Sequence, residues 1–159
     1  MTVRRISLLG ATGSIGDSAL DVIARHPARF EVIALAAHRR WEKPADLCRR
    51  HRPRLAALLD VDAARSLERA LAGAGLPTRV VAGEAGLVAA ATLPEADTVL
   101  AAIVGAAGLV PTLAAARAGK RILLANKEAL VIGGAAFMAA VDEGGATLLP
   151  IDSEHNAVF

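Results

Sequence analysis

Three glycines at regular spacing follow the first apolar run of the chain. Gly10, Gly13 and Gly16 form the pattern G-x-x-G-x-x-G between a run that ends at Leu9 and an amphipathic stretch that begins at Ser14. Glycine permits a tight turn at the first position, close approach of the backbone to a phosphate at the second and close helix packing at the third. Amide groups and the dipole at the helix start then favour a pyrophosphate. The pattern predicts a dinucleotide site, and a purely structural turn is the alternative.

The residues after the second apolar run bear on which dinucleotide would bind. Sites specific for NAD place an Asp or Glu about 20 residues after the glycines, where it holds the ribose 2′-hydroxyl. This chain has His38, Arg39 and Arg40 at that place and no acid. A guanidinium group can form two parallel hydrogen bonds to a phosphate. The two arginines therefore favour NADP over NAD, with a basic surface turn as the alternative.

A polar tripeptide, Asn126-Lys127-Glu128, comes directly after another apolar run. Asn126 can form hydrogen bonds to a ribose or a carboxamide. Lys127 can meet a substrate phosphate or a developing oxyanion as a point charge. Taken alone, the tripeptide also fits an ordinary helix start.

Two carboxylates lie two residues apart near the end of the sequence, at Asp152 and Glu154. If the preceding strand continues, both side chains point to the same side, because side chains alternate along a strand. Converging carboxylates suit a hard divalent cation such as Mg²⁺ or Mn²⁺. They also suit a general acid and base pair, and an acidic turn is the plainer alternative.

Short apolar runs alternate with amphipathic segments along the whole chain, which indicates the elements that position these residues. Continuous apolar runs such as 30–37 are typical of strands buried on both faces. The helices are expected between the strands, among them 14–26, 42–51 and a helix capped by Asp60 or Asp62. The predicted strands are 6–9, 30–37, 55–59, 79–82, 98–102, 121–124 and 147–151.

This alternation predicts an α/β fold with a doubly wound, mostly parallel sheet and helices on both faces, a Rossmann-like NADP-binding domain. Ligands of such folds bind beyond the carboxyl ends of the strands. The glycine loop and the three polar segments described above (38–40, 126–128 and 152–154) all follow predicted strands. We therefore expect them to meet at one edge of the sheet.

Composition excludes several classes of protein. With 54% hydrophobic and 21% charged residues among 159, the chain is neither disordered nor long enough for two well-built domains. Every apolar run is interrupted before the ~18 residues that a membrane span requires. One cysteine, Cys48, cannot form an intrachain disulfide. We therefore expect a cytoplasmic globular domain that does not act at a membrane.

Charge is distributed unevenly along the chain. Residues 1–54 carry eleven Lys and Arg against five Asp and Glu, a net charge of +6, whereas residues 55–159 carry a net charge of −4. This asymmetry predicts an anionic ligand near the N-terminal half and a cation near the other half. The basic run 49–54 has no interleaved aromatic side chains, which favours a solvated helix end over a nucleic-acid site.

Taken together, these segments resemble one family, the 1-deoxy-D-xylulose 5-phosphate reductoisomerases. The matching pieces are 8–16, 100–131 and 148–159, in the order of the family and at compatible spacing. The resemblance implies an enzyme of non-mevalonate isoprenoid synthesis that uses NADPH and a divalent metal, Mg²⁺ or Mn²⁺. Its substrate would be a small phosphorylated sugar, 1-deoxy-D-xylulose 5-phosphate, and its product 2-C-methyl-D-erythritol 4-phosphate.

The resemblance also implies roles for individual residues. Arg39 and Arg40 fall where the family recognises the 2′-phosphate, although the family often carries a glycine and then Lys-Asn or Arg-Asn there. The residues expected to bind the cofactor are Gly10, Thr12, Gly13, Ser14, Ile15, Arg39, Arg40, Asn126 and Glu128. Those expected to bind the substrate are Lys127, Ser153 and Glu154, and those expected to bind metal are Asp152 and Glu154.

The family continues well past the last residue of this sequence. We therefore expect an NADPH-binding domain over 1–150 and the start of the catalytic, metal-binding segment over 151–159, in a fragment that is inactive alone. The full-length family forms homodimers. Two alternatives remain at this point: a stand-alone NADP-binding or sensing module without catalysis, and another NADP oxidoreductase such as a semialdehyde dehydrogenase, for which Cys48 is a poor nucleophile.

Overall fold

A seven-stranded sheet with the order β4-β3-β2-β1-β5-β6-β7 forms the centre of the molecule. The computed structural model describes residues 2–152. Every neighbouring pair of strands is parallel, which confirms the predicted fold class. The strands are β1 (Arg4–Leu9), β2 (Phe30–Ala37), β3 (Leu55–Leu58), β4 (Arg79–Ala82), β5 (Thr98–Ala101), β6 (Arg121–Leu124) and β7 (Thr147–Pro150).

Helices cover both faces of the sheet, as the strand–helix alternation predicts. One core lies between the sheet and α1, α2 and α3, and the other lies between the sheet and α4, α5 and α6. None of the helices within residues 2–152 is long and apolar enough to cross a membrane. The helices are α1 (Ser14–Arg25), α2 (Glu42–His51), α3 (Val61–Gly73), α4 (Gly83–Ala91), α5 (Leu109–Arg117) and α6 (Glu128–Gly144), with a 3-10 turn at Ala106–Gly108.

Alanine residues let the helices of the second core pack closely on the sheet. Ala90 and Ala91 of α4 and Ala115 and Ala116 of α5 are fully buried. A small side chain brings the helix axis near the strands, and alanine also has the highest helix propensity. Among residues 2–152, Phe137 of α6 is the aromatic side chain in this core, and it is fully buried.

Most predicted boundaries hold to within a residue, although β1 begins at Arg4, two residues before the predicted start. Of the two predicted N-caps of α3, Asp60 and Asp62, the structure has Asp60, whose carboxylate accepts a hydrogen bond of 2.8 Å from the amide of Ala63. Two irregularities were not predicted. The pairing of β1 with β2 shifts register between Ile6 and Ser7, and α6 is kinked at Gly134, where φ is +48° and ψ is −130°.

A buried lysine joins the segments that lead into β5 and β6. The Nζ of Lys120 donates hydrogen bonds to the carbonyl oxygens of Leu93 at 2.9 Å and Ala96 at 2.7 Å. Burial lowers the pKa of this ammonium group, and the carboxylates of Asp97 and Glu95 oppose that shift. Lys120 thus has a structural role at the end of the sheet opposite the polar segments.

Replacing Lys120 with methionine is expected to lower the free energy of unfolding by about 2 kcal/mol, because two carbonyl groups lose their donor while the aliphatic packing is kept. Urea unfolding followed by circular dichroism measures this loss. The matched control is Arg117→Met, which removes an exposed cation at the end of α5 and should cost a few tenths of a kcal/mol. Equal losses in the two variants would contradict the structural role of Lys120.

Candidate functional site

The strand order changes direction at β1, which pairs with β2 on one side and with β5 on the other. In a parallel sheet the carboxyl ends of all strands lie at one edge, here called the carboxyl edge. The chain leaves β1 toward α1 on one face, and it leaves β5 toward α5 on the other face. A crevice opens between two such connections, and it is where doubly wound folds bind their ligands.

A cleft of about 360 Å³ lies at this crevice. Its lining includes the glycine loop and the residues just beyond β2 and β5, and most of it is apolar. We call it the apolar cleft, and its lining includes Gly10, Ala37, Leu87, Ala102, Ile103 and Val104. An apolar wall at a switch point suits a flat aromatic base.

Two of the three glycines are required by the local backbone geometry. Gly10 has φ +87°, and a Cβ there would lie 2.5 Å from the carbonyl oxygen of Ala102. A Cβ on Gly16 would lie 2.7 Å from the carbonyl oxygens of Gly10 and Ala11. These positions therefore have the predicted roles, a tight turn and close helix packing. A Cβ on Gly13 would meet only the carbonyl oxygen of Gly10, at 3.6 Å. The space beside this residue is therefore open, as the predicted approach of the backbone to a phosphate requires.

The start of α1 offers unpaired donors to a ligand. Its N-cap is Gly13, which has an extended backbone and no side chain to cap the helix. The first amides of an α-helix have no intrahelical acceptor, and here they belong to Ser14, Ile15 and Gly16. The next amide, that of Asp17, already donates to the carbonyl oxygen of Gly13 at 2.9 Å. This geometry fits a pyrophosphate group.

A second cleft of about 360 Å³ adjoins the first and shares Thr12 and His38 with it. We call it the cationic cleft, and its lining is Thr12, His38, Arg39, Arg40 and Lys43. The structure thus brings the two predicted arginines to the glycine loop, where both are exposed to solvent. Arg39 and Arg40, beside a helix N-terminus, form a site for an anion such as a phosphate. Lys43, in contrast, is paired with Asp17 at 2.7 Å.

The Asn-Lys-Glu tripeptide also lies at the carboxyl edge, between the end of β6 and the start of α6. Lys127 is the N-cap of α6 and is exposed. Within the described residues, the Nδ2 atom of Asn126 and the Oε2 atom of Glu128 are buried without a hydrogen-bond partner. A buried polar atom without a partner is costly, so these two atoms indicate a place where a bound group would complete the hydrogen bonding.

The predicted metal ligands fall only partly within the described residues. Asp152 follows β7 by two residues and is half-buried, so it too lies beyond the carboxyl end of a strand. Ser153 and Glu154 lie outside the described residues. Over 2–152, the structure holds no cluster of three or more His, Cys, Asp or Glu side chains that would bind a metal.

Three further side chains of metal-binding type, Cys48, His51 and His26, do not have the spacing of metal ligands in the sequence. They are therefore predicted to have structural roles. Cys48 of α2 is fully buried, and burial raises the pKa of its thiol to about 11. Burial, with a smaller effect from Arg50, lowers the pKa of His51. His26 is the C-cap of α1 and packs edge-on against Phe30 with ring centroids 6.5 Å apart.

Sequence reasoning missed several residues that line the two clefts. Leu87, Ile103 and Val104 look like ordinary core residues in the sequence, and only the topology brings them beside the glycine loop. Lys43 carried no signal in the sequence, because Arg39 lies before α2 begins and only the folded structure brings the two side chains to one cleft.

An all-parallel doubly wound sheet, an uncapped glycine-rich helix start and a cationic cleft beside it define a nucleotide-binding α/β protein. The family model for 1-deoxy-D-xylulose 5-phosphate reductoisomerase matches residues 6–134. The chain belongs to this family.

Curated relatives are similar over almost the whole chain. The 1-deoxy-D-xylulose 5-phosphate reductoisomerase of Ectopseudomonas mendocina is 61% identical over 158 residues, which are 99% of this chain and 40% of the relative. The corresponding protein of Aromatoleum aromaticum is 61% identical over 157 residues, 99% of this chain and 39% of the relative. The chain thus spans about two fifths of the length of the curated relatives it matches.

Solved structures of the same family superpose closely. A DOX-P reductoisomerase in complex with NADPH, fosmidomycin and magnesium is 47% identical with a TM-score of 0.95, over 98% of this chain and 38% of that one. The Zymomonas mobilis reductoisomerase in complex with NADPH is 48% identical with a TM-score of 0.91, over 98% of this chain and 41% of that one.

One structure from outside the family shares the fold. The putative homoserine dehydrogenase of Archaeoglobus fulgidus is 17% identical with a TM-score of 0.58, over 93% of this chain and 42% of that one. At this identity the likeness bears on the fold alone, and it agrees with the doubly wound architecture described above.

Proposed function

We propose that this chain forms the NADPH-binding part of an enzyme that converts 1-deoxy-D-xylulose 5-phosphate to 2-C-methyl-D-erythritol 4-phosphate. The observation that carries the proposal is the uncapped start of α1 beside the cationic cleft, at the point where the strand order changes direction. When bound, NADPH supplies the hydride for the reduction. The chain supplies the binding surface that holds and orients it.

Each part of the carboxyl edge suits one part of the cofactor. The amides of Ser14 and Ile15, together with Gly13, suit the pyrophosphate. The apolar cleft beside Gly10 and Thr12 suits the adenine ring. The guanidinium groups of Arg39 and Arg40 suit the 2′-phosphate, a charged group that NADH lacks.

In this proposal, the residues after β6 and β7 bind the nicotinamide end of the cofactor and the substrate. We place Asn126 and Glu128 beside the cofactor, because each has a buried polar atom without a partner in the described part of the chain. Lys127, exposed at the start of α6, is placed at the phosphorylated substrate. Support comes from family members solved with NADPH and from two solved with fosmidomycin and magnesium.

A divalent metal, Mg²⁺ or Mn²⁺, is part of the same proposal. Asp152 and Glu154 would bind it, and Ser153 and Glu154 would also bind the substrate. The support is the position of Asp152 beyond β7 and the magnesium named for three solved relatives. Carboxylate oxygens are the ligands that both ions prefer.

The remaining parts of the proposal concern organisation. Residues 1–150 form the NADPH-binding domain, and 151–159 begin the metal-binding segment. The whole protein works as a homodimer in the cytoplasm, on a small phosphorylated sugar and without nucleic acid or membrane. The support is the family membership and the 61% identity to curated reductoisomerases.

Calorimetric titration of the chain with NADPH and, separately, with NADH tests the cofactor assignment. We expect NADPH to bind at least tenfold more tightly, a difference of about 1.4 kcal/mol, because only NADPH carries the 2′-phosphate. Adenosine, which carries no phosphate, is the control for occupation of the apolar cleft alone. Equal affinities would remove the 2′-phosphate assignment, and binding of neither cofactor would overturn the proposed function for this chain.

A further inference from the structure

One lysine at the carboxyl edge joins three separate segments. The Nζ of Lys43, in the first turn of α2, lies 2.7 Å and 2.8 Å from the two carboxylate oxygens of Asp17 in α1. It also donates a hydrogen bond of 3.2 Å to the carbonyl oxygen of Thr12 in the glycine loop. The ammonium group therefore ties α2 both to the loop and to the helix that the loop begins.

Asp17 presents an electrostatic problem at this place. A carboxylate in the first turn stabilises a helix through the helix dipole. The same carboxylate repels a pyrophosphate that approaches the same helix start, because both groups are negative and Asp17 lies in the first turn. The contact with Lys43 neutralises Asp17 and leaves the field of the amides to act on the ligand.

The contact with Thr12 fixes the orientation of a peptide group in the loop. The carbonyl group of Thr12 and the amide of Gly13 belong to one planar peptide unit. Its carbonyl oxygen accepts from Lys43 at 3.2 Å, and its amide donates to the carbonyl oxygen of Gly10 at 3.2 Å. Because both ends of this peptide unit are held, the loop keeps one conformation. In that conformation the loop ends at Gly13 and the first amides of α1 face the ligand.

We propose that Lys43 is a positioning residue for the pyrophosphate: it neutralises Asp17 and holds the glycine loop in its binding shape. The inference rests on the proposed function and goes beyond it, because Lys43 lines the same cleft as Arg39 and Arg40 but acts on a different part of the cofactor. The arginines serve the 2′-phosphate, which NADH lacks. Lys43 serves the group that NADPH and NADH share.

The test is calorimetric titration of NADPH and NADH against the unaltered chain and four variants. Lys43→Met should weaken both cofactors by the same factor, about five- to tenfold, so the ratio of their affinities stays constant. Lys43→Arg, which keeps the charge, should retain affinity to within about twofold. Asp17→Asn alone should not weaken binding, and the double variant Asp17→Asn, Lys43→Met should recover most of the affinity, because the repulsive charge is gone.

Amide hydrogen exchange without cofactor provides a second readout. In Lys43→Met the amides of Gly13 and Asp17 should exchange faster, while amides of β2 keep their rates. Weakening confined to NADPH would overturn the proposal, because it would make Lys43 a direct partner of the 2′-phosphate. Unchanged binding with unchanged exchange would overturn it too, as would a double variant as weak as Lys43→Met.

Failure of the proposed function would look different from failure of this inference. If the unaltered chain bound neither cofactor, the proposed function would fall. The exchange rates would still decide whether Lys43 holds the loop, since they are measured without ligand. Faster exchange in Lys43→Met would support that part, and unchanged exchange would overturn it.

Discussion

Replacing Gly10 with alanine is expected to lower the free energy of unfolding by about 3–5 kcal/mol. The residue has φ +87°, which is unfavourable for alanine, and the new Cβ would lie 2.5 Å from the carbonyl oxygen of Ala102. Ala102 is itself held in place, because its amide donates to the carbonyl oxygen of Leu9 at 2.9 Å. Urea unfolding followed by far-ultraviolet circular dichroism measures the loss.

Gly75→Ala is the matched control for this effect. Gly75 also has a positive φ, +65°, but a Cβ there would meet no atom within 4 Å. Replacing Gly75 should therefore lower the free energy of unfolding by only the cost of a positive φ in alanine, about 1–2 kcal/mol. If the two variants lost the same stability, the contact between the glycine loop and the end of β5 would not be as close as described.

Replacing both Arg39 and Arg40 with alanine is expected to weaken NADPH binding by about 30-fold, or ~2 kcal/mol, and to leave NADH binding nearly unchanged. The reason is that two charge-assisted partners of the 2′-phosphate are removed while the glycine loop and the apolar cleft remain. Parallel titrations with the two cofactors give the ratio of affinities. Neither arginine is buried, so the fold should survive the change.

The double variant Arg49→Ala, Arg50→Ala is the control for general electrostatics. It removes the same charge from the opposite end of α2, where Arg49 pairs with Asp46 at 2.6 Å. Its effect on NADPH should be small and should shrink further as salt is raised. An equal loss of NADPH affinity in the two double variants would mean that net charge, and not the cationic cleft, favours the 2′-phosphate.

The strands and helices were predictable because their signals are local. The eight-residue run of β2 is apolar throughout, as expected for a strand covered on both faces, and its predicted bounds match the structure. Asp60 carries its own signal as an N-cap, since its carboxylate reaches the amide three residues ahead. The glycine loop was predictable from its spacing after β1, although the structure requires glycine at only two of the three positions, Gly16 through its neighbours in the loop and Gly10 through the distant Ala102.

Other features depend on contacts that no short stretch of sequence encodes. The pairing of Lys43 with Asp17 joins residues 26 positions apart across a whole strand, so neither residue stands out from its neighbours. The kink in α6 at Gly134 was likewise not predictable from the local sequence. A pair of glycines inside an apolar helix permits a bend but does not require one. The roles of Ser153 and Glu154 stay predictions, since both lie outside the described residues.

The central place of β1 has a consequence for the order in which the protein folds. β1 pairs with β2, about 25 residues later, but its other neighbour is β5, whose register partners are more than 90 residues away along the chain. During synthesis, the segments β1 to β4 can form early contacts while one edge of β1 stays without its partner. Closing so long a loop is slow, and an open strand edge favours association between chains. We therefore expect the nascent chain to be prone to aggregation until residues 98–101 have left the ribosome.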